Sequence, residues 1–163
     1  MKLRPAVKSD LEELTRIYNQ AITRGGCTGD TKALTTVQRS SWYEEHSDPK
    51  YPLIVCEKDG NVAGYATLSA YRPGRQAFSK AREVSYYVAD EYQSQGVGDL
   101  LMKGLLDKAH ELGLHTLLAI ILECNAKSLN LIEKYGFTLW GKLPDVAEFS
   151  EVTTGHLYYG LRL

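Results

Sequence analysis

Apolar residues recur along this chain with two periods, and the switch between them marks the elements. Leu11, Leu14, Ile17, Tyr18, Ala21 and Ile22 repeat on one face, so the spacing predicts a helix over about 10–23. Ser9 to Glu12 reads S-x-x-E, the pattern of a capping box, just ahead of it. Thr35 to Gln38 offers a second box, opening a helix through Trp42 to about His46, where Asp48 and Pro49 stop it. Between the two helices Gly25, Gly26 and Gly29 break the pattern. Residues 24–34 read as a polar loop that either covers a pocket or simply connects.

Strand patterns fill much of the rest. Leu3 to Val7 predicts a short first strand, with Pro5 suited to an edge or a strand end. Leu53–Glu57 and Val62–Ala70 flank Asp59, Gly60 and Asn61, a hairpin signal, and Arg72 to Arg75 make the next turn. Val84–Ala89 is an apolar strand followed by a polar turn over 90–95. Leu100, Leu101, Leu105, Leu106, Ala109 and Leu112 return to helical spacing, which Gly113 ends. Thr116–Leu122 is apolar and β-branched enough for a central strand. Asn125 can cap a helix carrying Leu129, Leu131, Ile132 and Tyr135, which stops at Gly136. Phe137, Leu139 and Trp140 begin a strand, 144–154 reads as a loop, and His156–Leu161 alternates as the last strand. The order β-α-α-β-β-β-α-β-α-β-β predicts an α/β fold, a mixed sheet with helices packed on it, in one domain over 1–163.

Composition narrows the function. The 163 residues are 44% hydrophobic, enough for a core, and the net charge is −1 from 19 basic and 20 acidic residues. That balance gives no general attraction to nucleic acid or to an acidic membrane surface. Cys27, Cys56 and Cys124 are odd in number and lack metal-type spacing, which predicts packed thiols in a reducing compartment. Four scattered histidines make no metal site either. The opening MKLRPAVKSDLEEL has no apolar signal stretch, and the run Leu117–Leu122 is too short to span a bilayer. The expectation is a cytoplasmic protein without metal, membrane or nucleic-acid partner.

The candidate chemistry begins at Glu83. A strand, a glycine turn and a helix follow one another there, and such a turn aims unpaired first-turn amides at an anion. The stretch Gln93-x-x-Gly96-x-Gly98 is not a nucleoside-triphosphate loop, because Gly98 is followed by Asp99 rather than Lys and Ser or Thr. It also lacks the first glycine of a dinucleotide fingerprint. By itself it means either a phosphate site or a tight strand-to-helix turn.

VSYYVADEYQSQGVGDLLMKGLLDKAHELG resembles the acyl-CoA-binding segment of the GNAT family of N-acetyltransferases. A second block, ILECNAKSLNLIEKYGF, also resembles that family at Asn125, Ser128, Leu131, Gly136 and Phe137. Within it the chain looks most like the phosphinothricin and methionine-sulfoximine acetyltransferases, through RPA, IYN, YP, the DG hairpin and EK-x-GF. The resemblance implies a mostly antiparallel sheet with helices on both faces. It also implies a V-shaped opening between strands 84–89 and 116–122, with acetyl-CoA as co-substrate. Its pantetheine arm would pair with Tyr86, Tyr87 and Val88. Its pyrophosphate would rest on the amides of Gln93, Ser94, Gln95, Gly96, Val97 and Gly98. Asn125 would meet the pantetheine or cap its own helix, and Ser128 would lie close to the thiol.

The acceptor side is less determined. The resemblance makes Glu83 the general base, against a plain surface pairing with Arg82 or Lys80. His156, on the last strand, has the pKa class for base or shuttle work, or is a structural histidine. Relatives place an acid near the position of Ile132. Here Tyr135, one turn away, either serves that role or packs beside Phe137, and the thiolate can also leave unaided. Arg75, with Arg72 as its rival, suits a substrate carboxylate, since a guanidinium is a rigid fork. Cys124 reads as a buried small side chain rather than a nucleophile working with His156. The loop GGCTGDTKA departs from the aromatic and β-branched run of the relatives. The expected activity is transfer of an acetyl group to the amine of a small amino acid or analogue by a homodimer. The same fold acting on a protein N-terminus, polyamine or antibiotic amine, or a non-catalytic acyl-CoA-binding module, is the alternative.

Overall fold

A computed structural model describes residues 1–150 and 152–163. The strands are β1 (Lys2–Pro5), β2 (Leu53–Lys58), β3 (Asn61–Ala70), β4 (Ala81–Val88), β5 (Thr116–Leu122), β6 (Thr138–Glu148) and β7 (Thr153–Arg162). The helices are α1 (Leu11–Arg24), α2 (Thr36–Glu45), α3 (Val97–Glu111) and α4 (Ala126–Lys134). The strands form one sheet in the order β1-β2-β3-β4-β5-β7-β6. Every neighbouring pair is antiparallel except β4 and β5, which the α3 crossover leaves parallel.

Alternation along each strand splits the core into two layers. On one face Ile54, Leu68, Val84, Leu117 and Ala119 meet Val97, Leu101, Met102 and Leu105 of α3 and Ile132 of α4. Gly104 lets α3 come this close, since a Cβ there would stand 2.5 Å from Leu3 Cδ1. On the other face Val55, Tyr65 and Ala89 pack against Leu14 and Ile17 of α1, with Trp42 and Tyr43 of α2 at the margin. Leu14 and Ile17 are fully buried, and truncating such a side chain to alanine costs about 2–5 kcal/mol.

The second capping box forms as expected. The Thr35 Oγ1 accepts from the Gln38 amide at 3.2 Å, and Gln38 Oε1 accepts from the Thr35 amide at 2.8 Å. The first does not. Asp10 displaces Ser9, because its carboxylate accepts from the Val7 amide at 2.8 Å and holds the Arg4 guanidinium through both oxygens, at 2.7 and 2.9 Å. Strand β4 starts at Ala81, three residues earlier than its apolar run suggests.

The expected loop over 144–154 is the largest correction among the described residues. Strand β6 continues to Glu148 and β7 begins at Thr153. Pro144 and Asp145 sit in a register shift between Leu143 and Ala147, where the ladder needs no proline N–H. Strand β6 is the sheet edge beyond β7, so it tolerates them.

Candidate active site

Strands β4 and β5 stay together for three rungs only. Ala81 pairs with Thr116, Arg82 with Leu117 and Glu83 with Leu118, and then the strands part. From Val84 onward the backbone groups of β4 that face β5 have no strand partner among the described residues. The opening holds a narrow slot of ≈50 Å³ lined by Val84, Ser85, Tyr86 and Tyr87 on one side and Ala119, Ile120 and Ile121 on the other. Asn125 and Ser128 of α4 and Cys27 of the 24–34 loop complete it. An exposed strand edge of this kind pairs with an extended ligand that carries its own amides. A larger open groove of ≈590 Å³ runs between α1 and Leu34–Thr36. It has no unpaired strand edge and no glycine turn, so the slot is the functional candidate.

Beyond β4 the chain makes a nest of amides. Ser94 and Gly96 both take left-handed backbone angles, φ +59° and +83°. Leu100 makes the first backbone bond of α3, donating to the Gly96 carbonyl at 3.1 Å. Among the described residues the N–H groups of Ser94 through Asp99 have no acceptor. Several adjacent donors at the start of a fifteen-residue helix favour an anion. Lysines flank the turn: Lys127 donates to Gln93 Oε1 at 3.1 Å, and Lys58 to Gln95. This donor set suits the pyrophosphate of a coenzyme A.

Glu83 lies at the apex of the V, half-buried, and burial raises its carboxyl above the ordinary glutamate range. It is not a surface partner for its neighbours. Arg82 is buried and spends its guanidinium on the carbonyls of Ser79, Ala81 and Lys50, at 2.8, 2.9 and 3.3 Å, over the Tyr51 ring. Among the described residues Glu83 has no ion pair. Arg72 and Arg75 are exposed on the loop joining β3 to β4, which leaves the sheet next to the Ser69–Glu83 rung.

Other expected residues fall elsewhere. His156 pairs with Leu122, four positions along β5 from Leu118 and so about 13 Å from the apex. Its ring meets Tyr158 edge-on at 5.6 Å, and burial lowers its pKa. Tyr135 is engaged with α3. Its hydroxyl donates toward Asp99, 3.0 Å from the carbonyl and 3.1 Å from Oδ1, and burial with that carboxylate pushes it up to about 12. Asn125 caps α4, its Oδ1 accepting from the Ser128 amide at 3.2 Å, and also lines the slot. The Ser128 carbonyl is taken by the Tyr86 hydroxyl at 3.3 Å.

Cys124 is not the buried thiol expected of it. Cys124 is exposed, with its thiol 3.8 Å from the Gly26 carbonyl, whereas Cys27 lines the slot. The 24–34 loop therefore reaches the slot through Cys27. Sequence reading passed over a further group on the α1–α2 face of β4. Arg39 is 6% exposed, lies between the rings of Tyr18 and Trp42 at 4.3 and 3.8 Å, and donates to Tyr65 at 3.1 Å. Its Nε has no partner among the described residues. The apolar spacing of α2 gave no hint of a buried cation.

Comparison with known proteins agrees with this geometry. Residues 11–137 match the model of the acetyltransferase (GNAT) family. The protein YwnH of Bacillus subtilis is 39% identical over 149 residues, 91% of this chain and 90% of that one. The L-methionine sulfoximine/L-methionine sulfone acetyltransferase of Salmonella typhimurium is 34% identical over 146 residues, 90% of this chain and 85% of that one. Among solved structures, the GNAT superfamily phosphinothricin acetyltransferase of Sinorhizobium meliloti, in complex with AcCoA, superposes with a TM-score of 0.93 at 26% identity. That match covers 99% of this chain and 88% of that one. The seven-stranded sheet, its V-shaped opening and these matches lead to one conclusion: the chain belongs to the GNAT family and is an acetyl-CoA-dependent N-acetyltransferase.

Proposed function

We propose that the chain, acting as one domain, acetylates the primary amine of a small amino acid or analogue, of the phosphinothricin or methionine-sulfoximine type, by direct attack in a ternary complex. The observation that carries this reading is Glu83, a carboxyl of raised pKa at the point where β4 and β5 separate. A base poised closer to neutral pH can take the proton of an ammonium and leave the amine nucleophilic.

Acetyl-CoA supplies a thioester already activated for attack. The free edge at Tyr86, Tyr87 and Val88 pairs with its pantetheine, and the amides of Ser94, Gln95, Gly96, Val97 and Gly98 hold its pyrophosphate, whereas the Gln93 N–H, expected among them, is spent on the Asp90 carbonyl at 3.4 Å. Asn125 and Ser128 border the pantetheine at the far wall. Backbone N–H groups of β4 beyond Glu83 are the donors available to the carbonyl oxygen as charge develops on it. Arg75 and Arg72, at the end of the sheet beside Glu83, meet the acceptor's carboxylate. His156, remote from the apex, acts on the acceptor side only through an intervening group or water.

We also place this enzyme in the cytoplasm as a homodimer. The support is three free cysteines and an exposed apolar strip on β6, with Leu139, Trp140 and Leu143 about half exposed. Thiol release from acetyl-CoA, measured over free amino acids, glutamate analogues, polyamines and peptides, tests the substrate class. Turnover confined to polyamines or peptides refutes it.

A further inference from the structure

The rung that holds Glu83 carries a second polar group. In the β3–β4 ladder Ser69 pairs directly with Glu83, so the two side chains share a face with Cβ atoms about 5 Å apart. Ser69 is engaged from behind: its Oγ is 2.9 Å from His46 Nε2, and His46 Nδ1 is 2.7 Å from the Trp42 carbonyl. A carbonyl only accepts, so Nδ1 carries the imidazole proton. Nε2 is then bare, and the Ser69 O–H donates to it. The hydroxyl hydrogen is thereby spent, and both lone pairs of Ser69 are left for another donor.

We propose that Ser69, oriented by His46, is a second amine-binding group of the active site. It accepts a hydrogen bond from the acceptor amine while Glu83 takes the amine's proton. This rests on the amine-acetylating role proposed above. Ser69 gains and loses no proton in the step. It turns an N–H of the amine toward an oxygen, and so aims the nitrogen lone pair at the thioester in the V. His46 is a positioning residue. It is 9% exposed, at the C-terminal end of α2, and its ring leans on Trp42 at 4.9 Å.

The surroundings keep that imidazole in its accepting state. Arg39 and Glu45 face it from α2, Ser69 from β3, and Glu83 lies across from Ser69 on β4. Burial, aided by the Arg39 charge, outweighs the Trp42 carbonyl and Glu45 and holds His46 below the ordinary histidine value. Were His46 protonated, Nε2 would donate to Ser69, and the serine hydrogen would swing toward the amine and repel it.

The experiment is steady-state kinetics on the full chain with an amino acid that the wild type acetylates, joined to ¹⁵N spectra of the His46 ring. Ser69→Ala should lower kcat/KM for the amine by about 10–100-fold, the worth of a hydrogen bond to a charged group. The KM for acetyl-CoA should stay within about twofold, and Ser69→Thr should restore most of the loss. His46→Phe, which keeps a ring against Trp42, should act like Ser69→Ala, with the double variant no worse than either. An amine kcat/KM for Ser69→Ala within twofold of wild type overturns the proposal. The spectra read the pair without turnover: the Nδ1–H tautomer supports it, and the Nε2–H tautomer overturns it. A wild type that binds acetyl-CoA and acetylates no amine instead overturns the function on which the proposal rests.

Discussion

Glu83 and Leu118 form the last rung of the sheet's parallel ladder, one residue before β4 and β5 separate. Strand backbone therefore flanks this residue on both sides, at the point where the opening begins. Glu83→Gln keeps the shape and removes the proposed base. We expect kcat/KM for the amine to fall about 10²–10⁴-fold with little change in acetyl-CoA binding, measured by thiol release and by calorimetric titration.

The same residue carries a stability signature. Its folded-state pKa is raised, so the folded protein binds that proton more tightly than the unfolded chain does. Stability is then lost as pH rises from the unfolded glutamate value through the raised one, and at neutral pH the ionised carboxylate costs folding energy. Glu83→Gln should melt about 1–3 °C higher than wild type at pH 7.5 and no higher at pH 4, by thermal denaturation. The kcat/KM profile should rise over the same window, as Glu83 ionises.

Gly96 takes φ +83° with open space around it, its nearest neighbour for an added Cβ being Met1 Cε at 4.0 Å. Gly96→Ala thus tests backbone conformation rather than a clash. About 1 kcal/mol of strain should appear in chemical denaturation, and KM for acetyl-CoA should rise about tenfold as the amide nest loosens.

Asp10 is 7% exposed and holds Arg4 with both oxygens while bonding the Val7 amide. Burial alone would raise its pKa, but these partners hold it below the ordinary aspartate value. This contribution is present above the unfolded pKa and is lost as pH falls through the depressed one. Asp10→Ala leaves Arg4 without that partner and should cost about 3 kcal/mol at pH 7, with a smaller difference near pH 3, by urea denaturation.

Arg75→Ala and Arg72→Ala separate the two loop arginines. Whichever meets a substrate carboxylate should raise the amine KM at least about tenfold with the acetyl-CoA KM unchanged. An acceptor lacking the carboxylate should show no such penalty. Equal kinetics for all three proteins would remove the loop from substrate binding.

Local signals carried most of the fold because they are short-range. Helix α2 was legible through Thr35 and Gln38, α4 through Asn125, and the anion turn through Gly96, each a backbone need met by one side chain. Strand β6 was illegible past Leu143, because a proline and an αL aspartate sit in a bulge that only an edge strand accepts. At Ser9 the local box lost to Arg4, a partner that only the fold brings to Asp10. The site divides the same way. The glycine turn and Asn125 lie within contiguous motifs. Cys27 reaches the opening, His46 reaches Ser69 and Arg39 reaches Tyr65, each from a distant segment, and their spacing shows nothing of it.

The brief contact between β4 and β5 also bears on the mechanics of the molecule. Three rungs join a half-sheet of β1 to β4 to one of β5, β7 and β6, and a pantetheine lying along the free edge would act as a splint across the gap. Rigidity across this seam would then be shared between the core beneath α3 and α4 and a reactant that is consumed each cycle. The protein would stiffen as it loads and slacken as it releases coenzyme A, so that each turnover resets the frame for the next acetyl donor.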